Sequence, residues 1–167
     1  ALSVSFDPHV GHDYLLDSDE RYKFYHRVEE KIPWDLEYFN RITKGGLSNK
    51  TLNIALAGTG VGKSLFMCHA AASCLSQNCN VLYITLEMAE EKIAERIDAN
   101  LLNISIDDLQ KLPKDLYDNK INKLKQTIKG KLIVKEYPTA AANVNHFRAL
   151  LNELYLKRSF VPNIILI

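Results

Sequence analysis

The run Leu52-Asn53-Ile54-Ala55-Leu56-Ala57-Gly58-Thr59-Gly60-Val61-Gly62-Lys63-Ser64 constrains this chain more than any other. An apolar segment over Thr51 to Ala57 reads as a strand. It runs into a glycine-rich turn, and Gly62-Lys63-Ser64 then opens an apolar helix. Strand, turn, Gly-Lys-Ser and helix in this order make a phosphate-binding loop. Gly58, Gly60 and Gly62 are expected to take positive φ and let the backbone approach phosphate oxygens closely. The N–H groups of Gly58, Thr59, Gly60, Val61 and Gly62 then form an anion-binding concavity, reinforced by the helix start. Lys63 is expected to reach the β- and γ-phosphates, and the Ser64 hydroxyl to ligate magnesium. Ala57 stands where the strict pattern has its first glycine, a position that mainly ends the strand. The expected ligand is a nucleoside triphosphate with Mg2+. The alternative, a chance glycine-rich turn, does not explain the order of the flanking elements.

Strand and helix patterns alternate from there. Lys63 to about Gln77 is apolar nearly all round (Leu65, Phe66, Met67, Ala70, Ala71, Ala72, Leu75) and predicts a buried helix. Val81 to Leu86 predicts a β-branched strand, and Ala89 to Leu102 a helix with Ile93, Ile97 and Leu101 on one stripe. Ile106 to Leu112 and Lys114 to Lys129 predict a charged helical pair around Pro113. Lys131 to Glu136 predicts a strand. Asn143 or Asn145 caps a helix to about Lys157, with Phe147, Leu150, Leu151 and Leu154 inward, and Val161 to Ile167 is a last strand. The pattern predicts an α/β fold: a mainly parallel sheet flanked by helices in three layers. Ahead of it, residues 1–18 look irregular, and Asp19 to Lys31 predicts a short helix capped by Ser18 or Asp19. Asp35 to Ile42 predicts another, and Lys44 to Asn49 a turn.

At 167 residues and 47% hydrophobic content the chain can bury a core as one domain. Its net charge of +1 gives no global basic excess, so any nucleic-acid contact is local or lies outside it. The lysines between Lys111 and Lys135 are read as a solvated face balanced by Asp107, Asp108, Asp115 and Asp118. No 18-residue apolar run is present, and residues 1–12 lack signal-peptide character. Cys68, Cys74 and Cys79 have no metal-ligand spacing. They read as reduced, with Cys68 and Cys74 as small core residues, in a cytoplasmic protein. Cys68 and His69 are adjacent on a helix and so point to different faces.

Glu87 follows the Val81–Leu86 strand, at the carboxyl end where open α/β sheets bind ligands. A carboxylate there can polarise the water that attacks a γ-phosphorus. It can equally complement the dipole of the next helix, and position alone leaves both readings open. Arg96 reads as a surface ion-pair residue. The apolar strand Asn163–Ile167 closes the sequence, where phosphate-loop enzymes place a strand ending in a magnesium-holding Asp. The expectation is a fragment of a larger protein, with the last strand beside the phosphate-loop strand.

These residues carry a resemblance. Ile32-Pro33-Trp34, Leu36, Phe39 and Gly45-Gly46-Leu47 resemble the approach to the ATPase domain of DnaB-like hexameric replicative helicases. Gly58–Ser64 follows at the expected interval. Thr85-Leu86-Glu87-Met88 is similar to that family's Ser-Leu-Glu-Met motif, and Arg96 falls where the family also has an Arg. Tyr137-Pro138-Thr139-Ala140 resembles a segment where the family often has Thr-Pro, in a different order. The resemblance covers about residues 31–167 and is especially close to the replicative helicases of T-even phages.

It implies a RecA-like core, ATP and Mg2+ as ligands, and Glu87 as catalytic base beside Lys63. Further implications are a homo-hexamer and five-prime to three-prime movement on single-stranded or forked DNA. Primase and helicase-loader partners and a location in a host cytoplasm are implied as well, with no membrane. Residues 1–31 become a linker whose helix docks on a neighbouring subunit, and residues 32–167 the N-terminal part of the ATPase domain. The magnesium Asp, DNA loops and arginine finger of the family fall outside the chain, so by itself it is expected to be inactive. Alternatives are a RecA-like recombinase, a regulatory ATPase or, from another class, a small-molecule kinase. A kinase would carry an Arg-rich lid, and none is evident.

Overall fold

The computed structural model describes residues 11–167. The reading of residues 1–10 as irregular linker lies outside them. In chain order the elements are α1 (Ser18–Tyr25), β1 (Lys31–Ile32), α2 (Glu37–Ile42), β2 (Leu47–Ser48) and α3 (Lys63–Ser76). There follow β3 (Val81–Thr85), α4 (Glu90–Leu102), α5 (Ile106–Lys111), α6 (Lys114–Thr127), β4 (Leu132–Glu136), α7 (Val144–Arg158) and β5 (Ile164–Leu166).

β3 is the centre of a parallel sheet ordered β4-β3-β5. Val81 faces Leu132 on one side and Ile164 on the other, and the ladders run to Thr85–Glu136 and Tyr83–Leu166. All five β3 residues are buried. A strand covered on both faces shows such an unbroken apolar run because neither face meets water. The pleat divides its side chains between two cores. Val81 and Tyr83 pack with Cys68, Ala71, Ala72 and Leu75 of α3 and Ile93 and Ile97 of α4. Leu82 and Ile84 pack with Leu154 of α7 and Phe160, with Phe147, Leu150 and Leu151 around them. Helices thus cover both faces, and the three-layer α/β arrangement read from the sequence is observed.

α3 seats closely because Ala71 and Ala72 bring small side chains into the core shared with Val81 and Tyr83. Its outer face is strapped by the segment before the phosphate loop. Phe66 lies 5.8 Å from both Trp34 and Phe39, ring centre to ring centre. The Gln77 amide donates to the Pro33 carbonyl, and His69 pairs with Asp35 at 2.6 Å. The strap closes through β1 and β2, an antiparallel pair too short for a sequence pattern to announce. Gly46 makes that pairing possible. It sits at φ +129, and a Cβ there would fall on the Ile32 carbonyl.

Two expectations are corrected. Thr51 to Ala57 forms no strand. Leu52, Ile54 and Leu56 are 86%, 78% and 94% exposed. β-structure is stabilised by ladder bonds and cross-strand contacts, and this segment has neither. Correspondingly, β5 pairs with β3, not with the phosphate-loop segment, and its outer edge is open. Smaller differences concern α1, whose N-cap is Asp17, and Leu65, which is 56% exposed.

α7 begins as the sequence indicated. The Asn143 side chain accepts from the N–H of Asn145 at 2.9 Å and of His146 at 3.4 Å. The His146 ring accepts from the Asn143 N–H at 3.2 Å, closing a capping box. Asn143→Ala removes an acceptor for two orphan helix N–H groups. It is expected to cost about 1 kcal/mol, read as a lowered urea midpoint with unchanged slope.

Candidate nucleotide-binding site

The site is assembled by topology. α3 ends at Ser76 and β3 starts at Val81, so the helix turns back and runs antiparallel to the strand it packs on. The N-terminus of α3, with the glycine loop, therefore lies at the carboxyl end of β3. Glu87 follows β3 at that same end, the ligand-binding end of an open α/β sheet.

Gly60 and Gly62 take φ of +75 and +108. Both are in the left-handed region, which L side chains enter at a cost, and Gly62 is the N-cap of α3. Gly58 corrects the expectation: its φ is not positive, and a Cβ there would meet Val61 in ordinary contact at 3.5 Å. What Gly58 contributes is its carbonyl. The Lys63 ammonium donates to the Ala57 and Gly58 carbonyls, each at 2.9 Å, so the loop is wrapped around its own lysine. A phosphate entering the loop offers Lys63 stronger, charge-assisted acceptors than these neutral carbonyls. Ser64 is half-buried on the first turn of α3, while Thr59 and Val61 are exposed at the loop's tip. No acidic residue occupies the first turn of α3, so the helix does not compensate its own positive end.

Glu87 is exposed at the apex of the turn from β3 into α4. The turn is held from below. Thr85 is 6% exposed, accepts from the Met88 N–H at 3.1 Å and donates to the Met88 carbonyl at 2.8 Å. Sequence reasoning gave Thr85 no distinctive role. The signal available was a hydroxyl as the last residue of an otherwise apolar strand, where it can satisfy a turn. A second tie missed by sequence joins β4 to α4. Glu136 accepts from the Glu90 N–H at 3.2 Å, and Glu90 accepts from the Glu136 N–H at 2.7 Å. The first turn of α4 thus has Glu90 and Glu91 of its own and Glu136 accepting from the Glu90 N–H, and the Glu87 carboxylate accepts none of the described hydrogen bonds to this helix end.

Cys68 and His69 diverge as helix geometry requires. Cys68 is buried, with burial raising its thiol pKa while the Tyr83 hydroxyl and nearby Arg96 oppose the rise. His69 turns to Asp35 and Asn100. Burial likewise pushes Cys74 up to about 11, a thiol suited to packing and not to nucleophilic chemistry. Arg96 makes no ion pair among the described residues, contrary to the surface-pair expectation. It is half-buried on α4, near Cys68 and Tyr83.

Comparison with known proteins gives the chain a family. The family model described as DnaB-like helicase C terminal domain matches residues 32–165. A DnaB-like replicative helicase of Enterobacteria phage T4 is 49% identical over 170 residues, covering 100% of this chain. The chain spans 36% of that relative's length.

Proposed function

We propose, from the premise that this chain belongs to the DnaB-like helicase C terminal domain family, that it is the nucleotide-binding part of an ATP-driven replicative DNA helicase. The observation that carries the reading is the convergence of the glycine loop and Glu87 at one end of a RecA-like sheet. The loop from Gly58 to Gly62 receives the triphosphate of ATP through its N–H groups. Lys63 leaves the Ala57 and Gly58 carbonyls for the β- and γ-phosphate oxygens. Ser64 would hold Mg2+ through its hydroxyl, and the ion would supply charge neutralisation to the triphosphate. Glu87 stands free to orient a water and accept its proton. Its exposure and lack of a capping role support that assignment over the dipole reading.

The parent protein is a homo-hexamer that moves five-prime to three-prime on single-stranded DNA and opens a fork, working with a primase and a loader in the host cytoplasm. Residues 1–31 are its subunit-docking linker, ahead of the ATPase portion from residue 32. α1 supports this. None of its residues is buried, and Tyr22, Phe24 and Tyr25 are 64%, 71% and 69% exposed. Exposed aromatics on a short helix are a surface suited to another subunit. Among the described residues no helix is long and apolar enough to cross a membrane.

The test is ATP hydrolysis by the parent protein with and without single-stranded DNA. Stimulation by single-stranded DNA, with unwinding of a forked duplex, is the expected result. Hydrolysis indifferent to DNA would point to a regulatory ATPase or kinase.

A further inference from the structure

The turn that carries Glu87 is fixed by two hydroxyls, one of which comes from a distant part of the chain. After β4, Tyr137 continues the ladder, its N–H donating to the Thr85 carbonyl at 2.9 Å. The chain then folds over the end of β3 in a tight turn. The Ala141 N–H donates to the Pro138 carbonyl at 3.0 Å, and Ala140 is at φ +59. This turn carries Thr139, whose hydroxyl donates to the Leu86 carbonyl at 3.0 Å.

Peptide planarity gives these bonds a specific consequence. The Leu86 carbonyl and the Glu87 N–H share one rigid plane, and the Glu87 carbonyl and the Met88 N–H share the next. Thr139 holds the first plane through the Leu86 oxygen. Thr85 holds the second through the Met88 nitrogen. With both flanking planes held, the Glu87 Cα–Cβ bond has a defined direction, although the side chain itself is exposed. A reacting group displaced by about 1 Å can lose 10²-fold in rate.

We infer that Thr139 is a positioning residue for hydrolysis, acting through the Leu86 carbonyl to aim Glu87 at the γ-phosphate end of the loop. The inference rests on the reading of Glu87 as the base. It also gives the β4–α7 connection a direct hold on the reacting end of the sheet.

The test compares Thr139→Val, Thr139→Ser and Glu87→Gln in the parent protein, measuring kcat and KM for DNA-stimulated ATP hydrolysis and affinity for a fluorescent ATP analogue. Valine keeps the shape and removes the donor, and Thr139 is exposed, so folding is not at stake. The expected result is a kcat about tenfold lower for Thr139→Val, the size of one lost positioning hydrogen bond, with KM and affinity within about twofold. Thr139→Ser should restore most of the rate. Parental kcat in Thr139→Val beside an inactive Glu87→Gln would overturn the positioning role and keep the base. A Thr139→Val defect shared by KM and affinity, unrescued by serine, would make the residue merely structural. Full turnover in Glu87→Gln would remove the base itself, and the inference with it.

Discussion

Lys63→Ala is expected to abolish triphosphate-dependent turnover in the parent protein. The loop wraps the Lys63 ammonium, which lies 2.9 Å from each of two loop carbonyls. On the proposed reading, it exchanges these carbonyls for the β- and γ-phosphates of ATP. Charge that develops on the transferring group needs a preorganised partner, and removing one such donor costs about 10²–10³-fold. Because Lys63 also contributes to ground-state binding, affinity for the ATP analogue should fall together with kcat. The fold should survive, since Lys63 is exposed and makes no core contact. Hydrolysis at the parental rate would overturn the phosphate-loop assignment.

Glu87→Gln should separate binding from chemistry. Glutamine keeps the size and loses the proton acceptor, so general-base catalysis worth about 10²–10⁴-fold disappears. Analogue affinity should stay within about twofold, because Glu87 contacts no part of the glycine loop's hydrogen-bond network. Pre-steady-state measurement of bound and hydrolysed nucleotide checks both halves. A variant that binds and turns over normally returns Glu87 to an unremarkable turn residue.

The parts of the fold that sequence made legible are those in which one local pattern has one structural meaning. Val81–Thr85 is a buried strand because a short, nearly continuous apolar run is stable where both faces of the sheet are covered by helices. Asn143 signals a helix start because its side chain satisfies helix N–H groups within three residues. Thr51 to Ala57 shows the limit of such reasoning. Its apolar residues alternate as a strand's do, but alternation states only which face seeks burial, and the structure supplies no neighbour there. Gly58 shows the same limit at finer scale, since the loop uses its carbonyl and not its conformational freedom. The site was half legible. Lys63, Ser64 and Glu87 lie in short motifs, whereas the Thr139–Leu86 bond joins positions 53 apart and exists only once β4 lies beside β3. Glu90 and Glu136, 46 apart, are hidden for the same reason.

The open edge of β5 also bears on how the chain behaves at high concentration. A parallel strand with unpaired N–H and C=O groups is a template for another strand. The same molecule displays Leu52, Ile54 and Leu56 on an unpaired segment. Edge and segment are complementary, and nothing in either requires them to come from the same copy. Handled in isolation, the polypeptide exposes both an unpaired strand edge and an unpaired apolar segment, the two features that edge-to-edge association uses.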